Sequence, residues 1–457
     1  MKKGRLGRFS ALRVLGSITM ITLSVCMLIV SSVYSAGFTT SSIAATTGTT
    51  CVITKSGAVK CWGINRMGVL GVGNWKGPLK NNNTYYTDKP VTPLGLTDGV
   101  KSISGGNEHF CVVTKTGGVK CWGKNGDGEG QLGIGKFGPE TCPNSMGQMG
   151  GCSTKPLDVS GLTKGVTGVA SGYNFSCAVT GQGKVKCWGS NLNRVLGPNG
   201  PVVSMPGSSE VYERYSYVPV DIPNLSGVVK VVAGVEHICV LLSSGSVKCW
   251  GSNRSGQLGV GTYDGPEQSM TGACSKTPVT PQGLSTGVVD IVNGAAYSCA
   301  LMSDGTVKCW GAVSIGIDCM ENSVCDKTED SYKYDQNNDQ ISCKKCESNS
   351  TPIEVPGISN AKSLFGSNSG NCVVTQDEKV LCWGGGFAPY FPYEITGLAG
   401  LDIKEMAIGT GHACALLSSG KVKCFGNDGE NILGTGKVVN GTPPGEQFNV
   451  FDVINIP

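Results

Sequence analysis

Seven pairs of cysteines, with nine residues between the members of each pair, run along this chain: Cys51/Cys61, Cys111/Cys121, Cys177/Cys187, Cys239/Cys249, Cys299/Cys309, Cys372/Cys382 and Cys414/Cys424. The fourth copy, CVLLSSGSVKCWGSNRSGQLGVG, states the unit most clearly. Val240, Leu242, Val247 and Cys249 alternate around Ser243, Ser244 and Gly245, the pattern of two short strands joined by a tight turn. Gly245 is free to take the positive φ that such a turn needs. Pairing the strands about Ser244 sets Leu241 opposite Val247 and Cys239 opposite Cys249. Directly opposed residues hold their Cβ atoms about 4.5 to 5.5 Å apart, near the reach of a disulfide. The spacing therefore fits a cross-strand staple better than a zinc knuckle or a redox CxxC pair.

Six of the second cysteines are followed by Trp-Gly, at Trp62, Trp122, Trp188, Trp250, Trp310 and Trp383, and the last by Phe425-Gly426. A tail follows as NRMGVLGVG at Asn65, NGDGEGQLGIG at Asn125 and NDGENILGTG at Asn427. It is eroded after Trp188 and missing after Trp310 and Trp383. Before each doublet lies an apolar strand, as in VVKVVAGVEHIC, and further upstream an extended Pro-Val piece such as VPVDIPNLSG. Each repeat is thus expected to carry about four strands, with the Pro-Val piece first. The first repeat begins at Ile43 without that upstream piece, and the chain ends on one, Phe448 to Pro457, with no repeat after it. An all-β ring closed by the C-terminal strand joining the N-terminal blade accounts for both ends and removes two sheet edges.

These residues resemble the repeats of the regulator of chromosome condensation family, with its run HxCAL..G.V.CWG.N..GQLG.G. The resemblance implies a seven-bladed β-propeller of four-stranded antiparallel blades over residues 43–457. Copies four and seven match best. The sixth is weakest, because Glu378 stands where other copies have Gly and no GQLG tail follows Trp383.

A total of 22 cysteines is expected only where disulfides form and persist. The N-terminus agrees. Lys2, Lys3, Arg5, Arg8 and Arg13 precede an uncharged, mostly apolar run from Val14 to Val30, then Ser31-Ser32-Val33-Tyr34-Ser35-Ala36. Residues 1–35 read as a signal peptide cleaved after Ser35, or as a membrane anchor if uncleaved, with 36–42 as linker. Leu23-Ser24-Val25-Cys26 makes a poor lipoprotein box, since Val25 is too bulky. The expected location is secreted, periplasmic or cell-surface. With a formal net charge of +4 and no basic run beyond the N-terminus, nucleic acid is not an expected partner.

Chemistry is sought at the histidines first. His109, His237 and His412 each stand two residues before a first cysteine, where the other copies have Thr49, Phe175, Tyr297 and Gly370. That periodicity reads as a packing and hydrogen-bonding position of the repeat rather than a ligand or general base. No Ser-His-Asp or Cys-His arrangement, phosphate loop or HExxH appears, and the GQLGVG glycines follow the repeat, not a nucleotide site. No catalytic residue, cofactor or metal is expected. Lys60, Lys120, Lys186, Lys248, Lys308 and Lys423 precede the second cysteines; the preferred reading is that their stems pack between blades and their ammonium groups reach solvent.

The copies differ in their insertions, at 74–89, 136–155, 198–217, 262–276 and 312–351. All fall at one topological point and should emerge on one side of the ring, a reasonable binding surface. Cys142 and Cys152 are read as a staple of the second. The longest holds Cys319, Cys325, Cys343 and Cys346 among many acids. Two disulfides of undetermined connectivity are preferred there over zinc, and Asp335, Asn337 and Asp339 offer a weak calcium reading. Cys274 has no obvious mate in the sequence. If Cys26 leaves with the signal, 21 cysteines remain, an odd number.

The leading expectation is an exported, monomeric protein-protein interaction scaffold that binds an unidentified protein through loops on one face. The resemblance supports it broadly, since it implies work through protein contacts. It also implies an alternative, a guanine nucleotide exchange factor for a small GTPase. A propeller enzyme is a further alternative, with carboxylates such as Glu108 and Glu236 beside the repeat histidines.

Overall fold

The computed structural model describes residues 42–457, apart from 82–83, 127–128, 145–146, 205–210, 214, 270, 313–331, 335–339, 343–347, 385–390, 427–432, 436–448, 455 and 457. The expected export segment, Cys26, the four cysteines of the long insertion and its Asp335, Asn337 and Asp339 lie outside the described residues. The rest is a seven-bladed propeller of antiparallel sheets, with three short 3-10 turns as its helical content among the described residues.

Each blade grows from its cysteine hairpin. In blade four, His237–Leu242 pairs with Val247–Ser252, with Leu241 opposite Val247 and Cys239 opposite Cys249. Gly245 closes the turn at φ 77°. The other six hairpins keep the same register: Cys51 faces Cys61, Cys111 faces Cys121, Cys177 faces Cys187, Cys299 faces Cys309, Cys372 faces Cys382 and Cys414 faces Cys424. In all seven the Cα atoms stand 4.0 to 4.2 Å apart, with the sulfur atoms at disulfide distance. An inner strand, Val228–Ala233 in blade four, joins ahead of the hairpin.

The fourth, outermost strand differs from the sequence expectation. The Pro-Val segment pairs with the hairpin that precedes it, not the one that follows: Cys61 lies opposite Val91, Cys187 opposite Val220 and Cys249 opposite Val279. Likewise Cys121 lies opposite Leu157, Cys309 opposite Ile353 and Cys382 opposite Tyr393, so the second cysteine of a pair also marks where the outer strand joins. Blade one therefore lacks nothing, being built from Ile43–Ala45, Thr49–Ile53, Val59–Ile64 and Thr84–Val91. The C-terminal strand Phe451–Asp452 completes its own blade, with Cys424 opposite Phe451, and does not join the N-terminal sheet. The expected closure by strand exchange is thus corrected. Register explains why. In six hairpins the residue before the second cysteine is a lysine, and in blades two, three and seven this pairing sets an acid of the outer strand against it, as Lys120–Asp158 at 2.7 Å, Lys186–Asp221 at 2.7 Å and Lys423–Asp452 at 2.9 Å. Past the cysteine the ladder shifts register at the Trp-Gly step. Gly251 takes φ 104° there, and a Cβ on it would stand 2.5 Å from Glu236 O.

Blades are held to one another by side chains. The Trp of each of the first six hairpins is fully buried, and in blades two to five its indole donates backwards to the preceding blade's tail: Trp122 to Val69 O at 2.7 Å, Trp188 to Gln131 O at 2.9 Å, Trp250 to Val195 O at 2.8 Å and Trp310 to Gln257 O at 2.9 Å. The tail after Trp188, eroded in sequence, still serves, because the bond uses a main-chain carbonyl. Gly259 approaches Trp310 so closely that a Cβ would stand 2.9 Å from its Cδ1. The same contact closes the ring, where Gly434 of blade seven lies over Trp62 of blade one, in a cluster with Ile43, Leu416 and Val453. Blade five lacks the tail, and the buried Nε1 of Trp383 finds no hydrogen-bond partner among the described residues.

Candidate binding surface

Antiparallel order sorts the connections onto two faces. Links from first to second strand and from third to fourth lie at one end of every blade. Hairpin turns and the links to the next blade lie at the other. All five insertions sit between third and fourth strands, so they share the first face. Each contains a short hairpin: Leu79–Asn81 on Thr84–Val91, Glu140–Pro143 on Met149–Asp158, Val202–Ser204 on Val211–Glu213, Glu267–Ser269 on Gly272–Val279, and Tyr332–Tyr334 on Gln340–Ser342. Three of them extend their blades to five strands.

The hairpins are seated on the neighbouring blade. Gly73 N donates to Thr154 O, Gly135 N to Tyr217 O and Gly261 N to Ser350 O, each at 2.8 Å. Cys142 and Cys152, with sulfurs at disulfide distance and Cα atoms 5.9 Å apart, pack over Met67 and Trp75 of blade one. The repeat cysteines, by contrast, contribute nothing to this surface. Cys121, Cys309 and Cys382 are as fully buried inside their blades as their partners Cys111, Cys299 and Cys372. Four buried asparagines hold the base of the insertions. Asn253, for example, accepts from Leu258 N at 3.1 Å and donates to Thr262 O at 3.0 Å. Asn65, Asn125 and Asn191 repeat this clamp. The spacing W-G-x-N contains that signal, which sequence reasoning used only to align the tail.

This face is apolar and aromatic where the opposite face is not. Of eight large hydrophobic residues left exposed among the described residues, Leu79, Met149, Tyr173, Tyr263 and Phe391 stand on it; the opposite face shows Leu94, with Val289 near the channel and Val218 on the outer strand Tyr215–Ile222. Trp75 meets Tyr85 edge-on at 5.5 Å, with Lys76 over the first ring and Lys80 over the second. Tyr215 and Tyr217 form another edge-on pair at 4.9 Å. Rigidly held aromatics are the surface type that anchors protein partners. Through the ring runs a channel of about 590 Å³, lined by the inner strands, where the Lys230–Asp290 ion pair at 2.5 Å joins blades four and five.

The histidines belong to the seams between blades. His109 Nε2 hydrogen-bonds with Ser176 Oγ, His237 Nε2 with Ser298 Oγ and His412 Nε2 with Thr50 Oγ1, each at 2.9 Å and each in the next blade. Burial pushes the first two imidazoles down to about 3 and the third to about 4. Tyr297 uses the same position to reach Ser367 O at 2.9 Å. Glu108 and Glu236 are not brought together. They stand on turns of blades two and four, Glu236 paired with Arg254 at 2.9 Å. Burial raises the Glu108 carboxyl above its usual range, opposed by Lys124 and Arg66. Cys274 is fully buried in its outer strand, opposite Ser252 and Glu267.

Two family models described as the regulator of chromosome condensation (RCC1) repeat match the chain, one at residues 41–69, 100–129, 166–194, 228–257 and 403–431, the other at 244–301. Similar curated proteins include the RCC1 domain-containing protein RUG3, mitochondrial, of Arabidopsis thaliana, 28% identical over 57% of this chain and 51% of the relative. The secretion-regulating guanine nucleotide exchange factor of Bos taurus is 28% identical over 57% of this chain and 49% of its own length. The chain spans about half the length of the curated relatives it matches. Among solved structures, yeast RCC1 (Prp20) bound to Kap60 aligns with a TM-score of 0.61 at 19% identity, covering 89% of this chain and 84% of that one. Human WBSCR16 gives the same score and identity over 84% of this chain and 94% of the other. At that identity both report on the fold.

Proposed function

Because this chain belongs to the regulator of chromosome condensation repeat family, as a cysteine-rich β-propeller, we propose that it is an extracytoplasmic protein-binding scaffold whose hairpin-bearing face captures a protein partner. One observation carries the reading. All five insertions emerge on the face that also holds Leu79, Met149, Tyr173, Tyr263 and Phe391, while the other face is made of short turns. Variation confined to one face of a repeated scaffold is where a partner is selected. The repeat cysteines act as oxidised structural staples, which sets the working compartment outside a reducing cytosol. The chain works as a monomer, and residues 43–457 are the binding domain.

The relatives' names bring a second activity, nucleotide exchange on a GTPase. It would require the staples to survive, or be dispensable, in a reducing compartment, so the scaffold reading is preferred. The test is comparative capture from native secretions, read by mass spectrometry. A Leu79→Lys/Met149→Lys/Tyr263→Lys variant should lose a partner that Leu94→Lys, on the other face, retains. Equal capture by both variants sinks the assignment of the face. Accelerated nucleotide release from a GTPase panel by the oxidised protein would favour the second reading.

A further inference from the structure

The face opposite the hairpins is unevenly charged. In the hairpin turns of blades seven, one, two and three stand Lys421, Lys55, Lys115 and Lys184, and beside the links into blades two and three stand Lys101 and Lys164, all exposed. Carboxylates in that sector are Asp98 and Asp402; Lys404 and Glu405 offset each other. The turns of blades four to six instead carry Ser244, Asp304 and Asp377, the last ion-paired with Lys379 at 3.6 Å, and a single exposed lysine, Lys362, stands beside the links into those blades. The lysines bridge seams: Lys115 extends over Gly57 of blade one, and Lys55 over Gly420 of blade seven. Among the described residues Lys55, Lys101, Lys115, Lys164 and Lys421 have no carboxylate at ion-pairing distance. A repeat that pairs its lysines with acids on the blade edges leaves these unpaired on one half of one face.

We propose that this basic crescent docks the propeller onto an anionic lipid surface. Three observations select a bilayer. The face is built of tight turns without insertions, so a plane can approach all six lysines together. Leu94, 51% exposed, projects from the link into blade two, in the middle of the crescent, as an apolar residue suited to the headgroup boundary. The chain also enters blade one on this face. Ser42 is tied there by its N–H to Glu405 Oε2 at 2.6 Å and by Lys404 Nζ to its hydroxyl at 3.2 Å, and 11 residues separate it in the sequence from the end of the apolar run Val14 to Val30. Each lysine held near an anionic leaflet adds to the attraction, and the attraction fades over a Debye length. The aromatic hairpins stand on the opposite face and stay open to a partner.

The test is hydrogen exchange of the full chain in nanodiscs of phosphatidylcholine alone or with added phosphatidylglycerol, where any insertion of the N-terminal run is common to both. The expected result is slower exchange at residues 54–57, 94–101 and 114–118 only in the anionic discs. It should be lost at about 1 M salt, where the screening length is about 3 Å. A Lys55→Glu/Lys115→Glu/Lys164→Glu variant with unchanged denaturation should lower the preference for anionic discs roughly hundredfold. Exchange that ignores lipid composition, protection on the hairpin face instead, or a variant that keeps the preference overturns the proposal. So does retention on a soluble polyanion without any lipid-dependent protection.

Discussion

The three seam histidines make stability pH-dependent in a way that can be isolated. Their folded pKa values, about 3, 3 and 4, lie below the ordinary 6.5, so the fold holds neutral imidazoles and the unfolded chain takes up protons first. The stabilisation is complete above pH 6.5 and is lost as pH falls towards the folded values. Each histidine costs about 1.4 kcal/mol per pH unit in that window, which is about 2 kcal/mol at pH 5 and about 6 kcal/mol for all three. The comparison is a His109→Phe/His237→Phe/His412→Phe variant, because Phe175 already occupies the equivalent position, buried at 2% exposure, in blade three. At pH 7.5 that variant should be less stable by about 3 kcal/mol, having lost three seam hydrogen bonds worth about 1 kcal/mol each. The substitutions leave every carboxylate of the wild type in place, so the difference isolates the histidines and the two stability curves should cross near pH 6, an order-of-magnitude figure. Urea denaturation of both oxidised proteins from pH 7.5 to 5 measures this. A constant difference across that range would refute the burial argument.

Trp250→Phe should cost about 1 to 2 kcal/mol, by stranding the Val195 carbonyl. Trp383→Phe should cost less, since its indole N–H has no partner among the described residues and Phe425 fills the site in blade seven; urea midpoints rank the two. Glu378 sits at φ 61° in a turn where other repeats use glycine, so Glu378→Gly should stabilise by about 1 kcal/mol, read as a higher midpoint at constant slope. Replacing Cys239 and Cys249 together by alanine should cost at most about 2 to 3 kcal/mol, because the loop they close is short and its turn already favoured. A much larger loss in refolding titrations would mean the staple orders more than its own hairpin.

The hairpins were legible because everything that defines them is local. Cys239 and Cys249 are separated by a turn whose length sets their register, and a one-residue slip would put the pair on opposite faces. Seven copies of that register, with the Trp-Gly step behind them, are enough to specify stapled blades. The insertions were legible too, since a sequence that repeats shows where it stops repeating. What the sequence left undetermined is which hairpin each Pro-Val strand joins, because the strand lies between two and is compatible in pattern with both. The tertiary structure decides for the preceding one, where Asp158, Asp221 and Asp452 meet the lysines of their own blades. The seams were equally hidden. His109 meets Ser176 across 67 residues, and each partner alone is an ordinary buried residue. The division of the surface also needed three dimensions. Lys55, Lys115 and Lys421 are unremarkable turn residues along the chain, and only the closing of the ring sets them side by side, on the face opposite the aromatic hairpins.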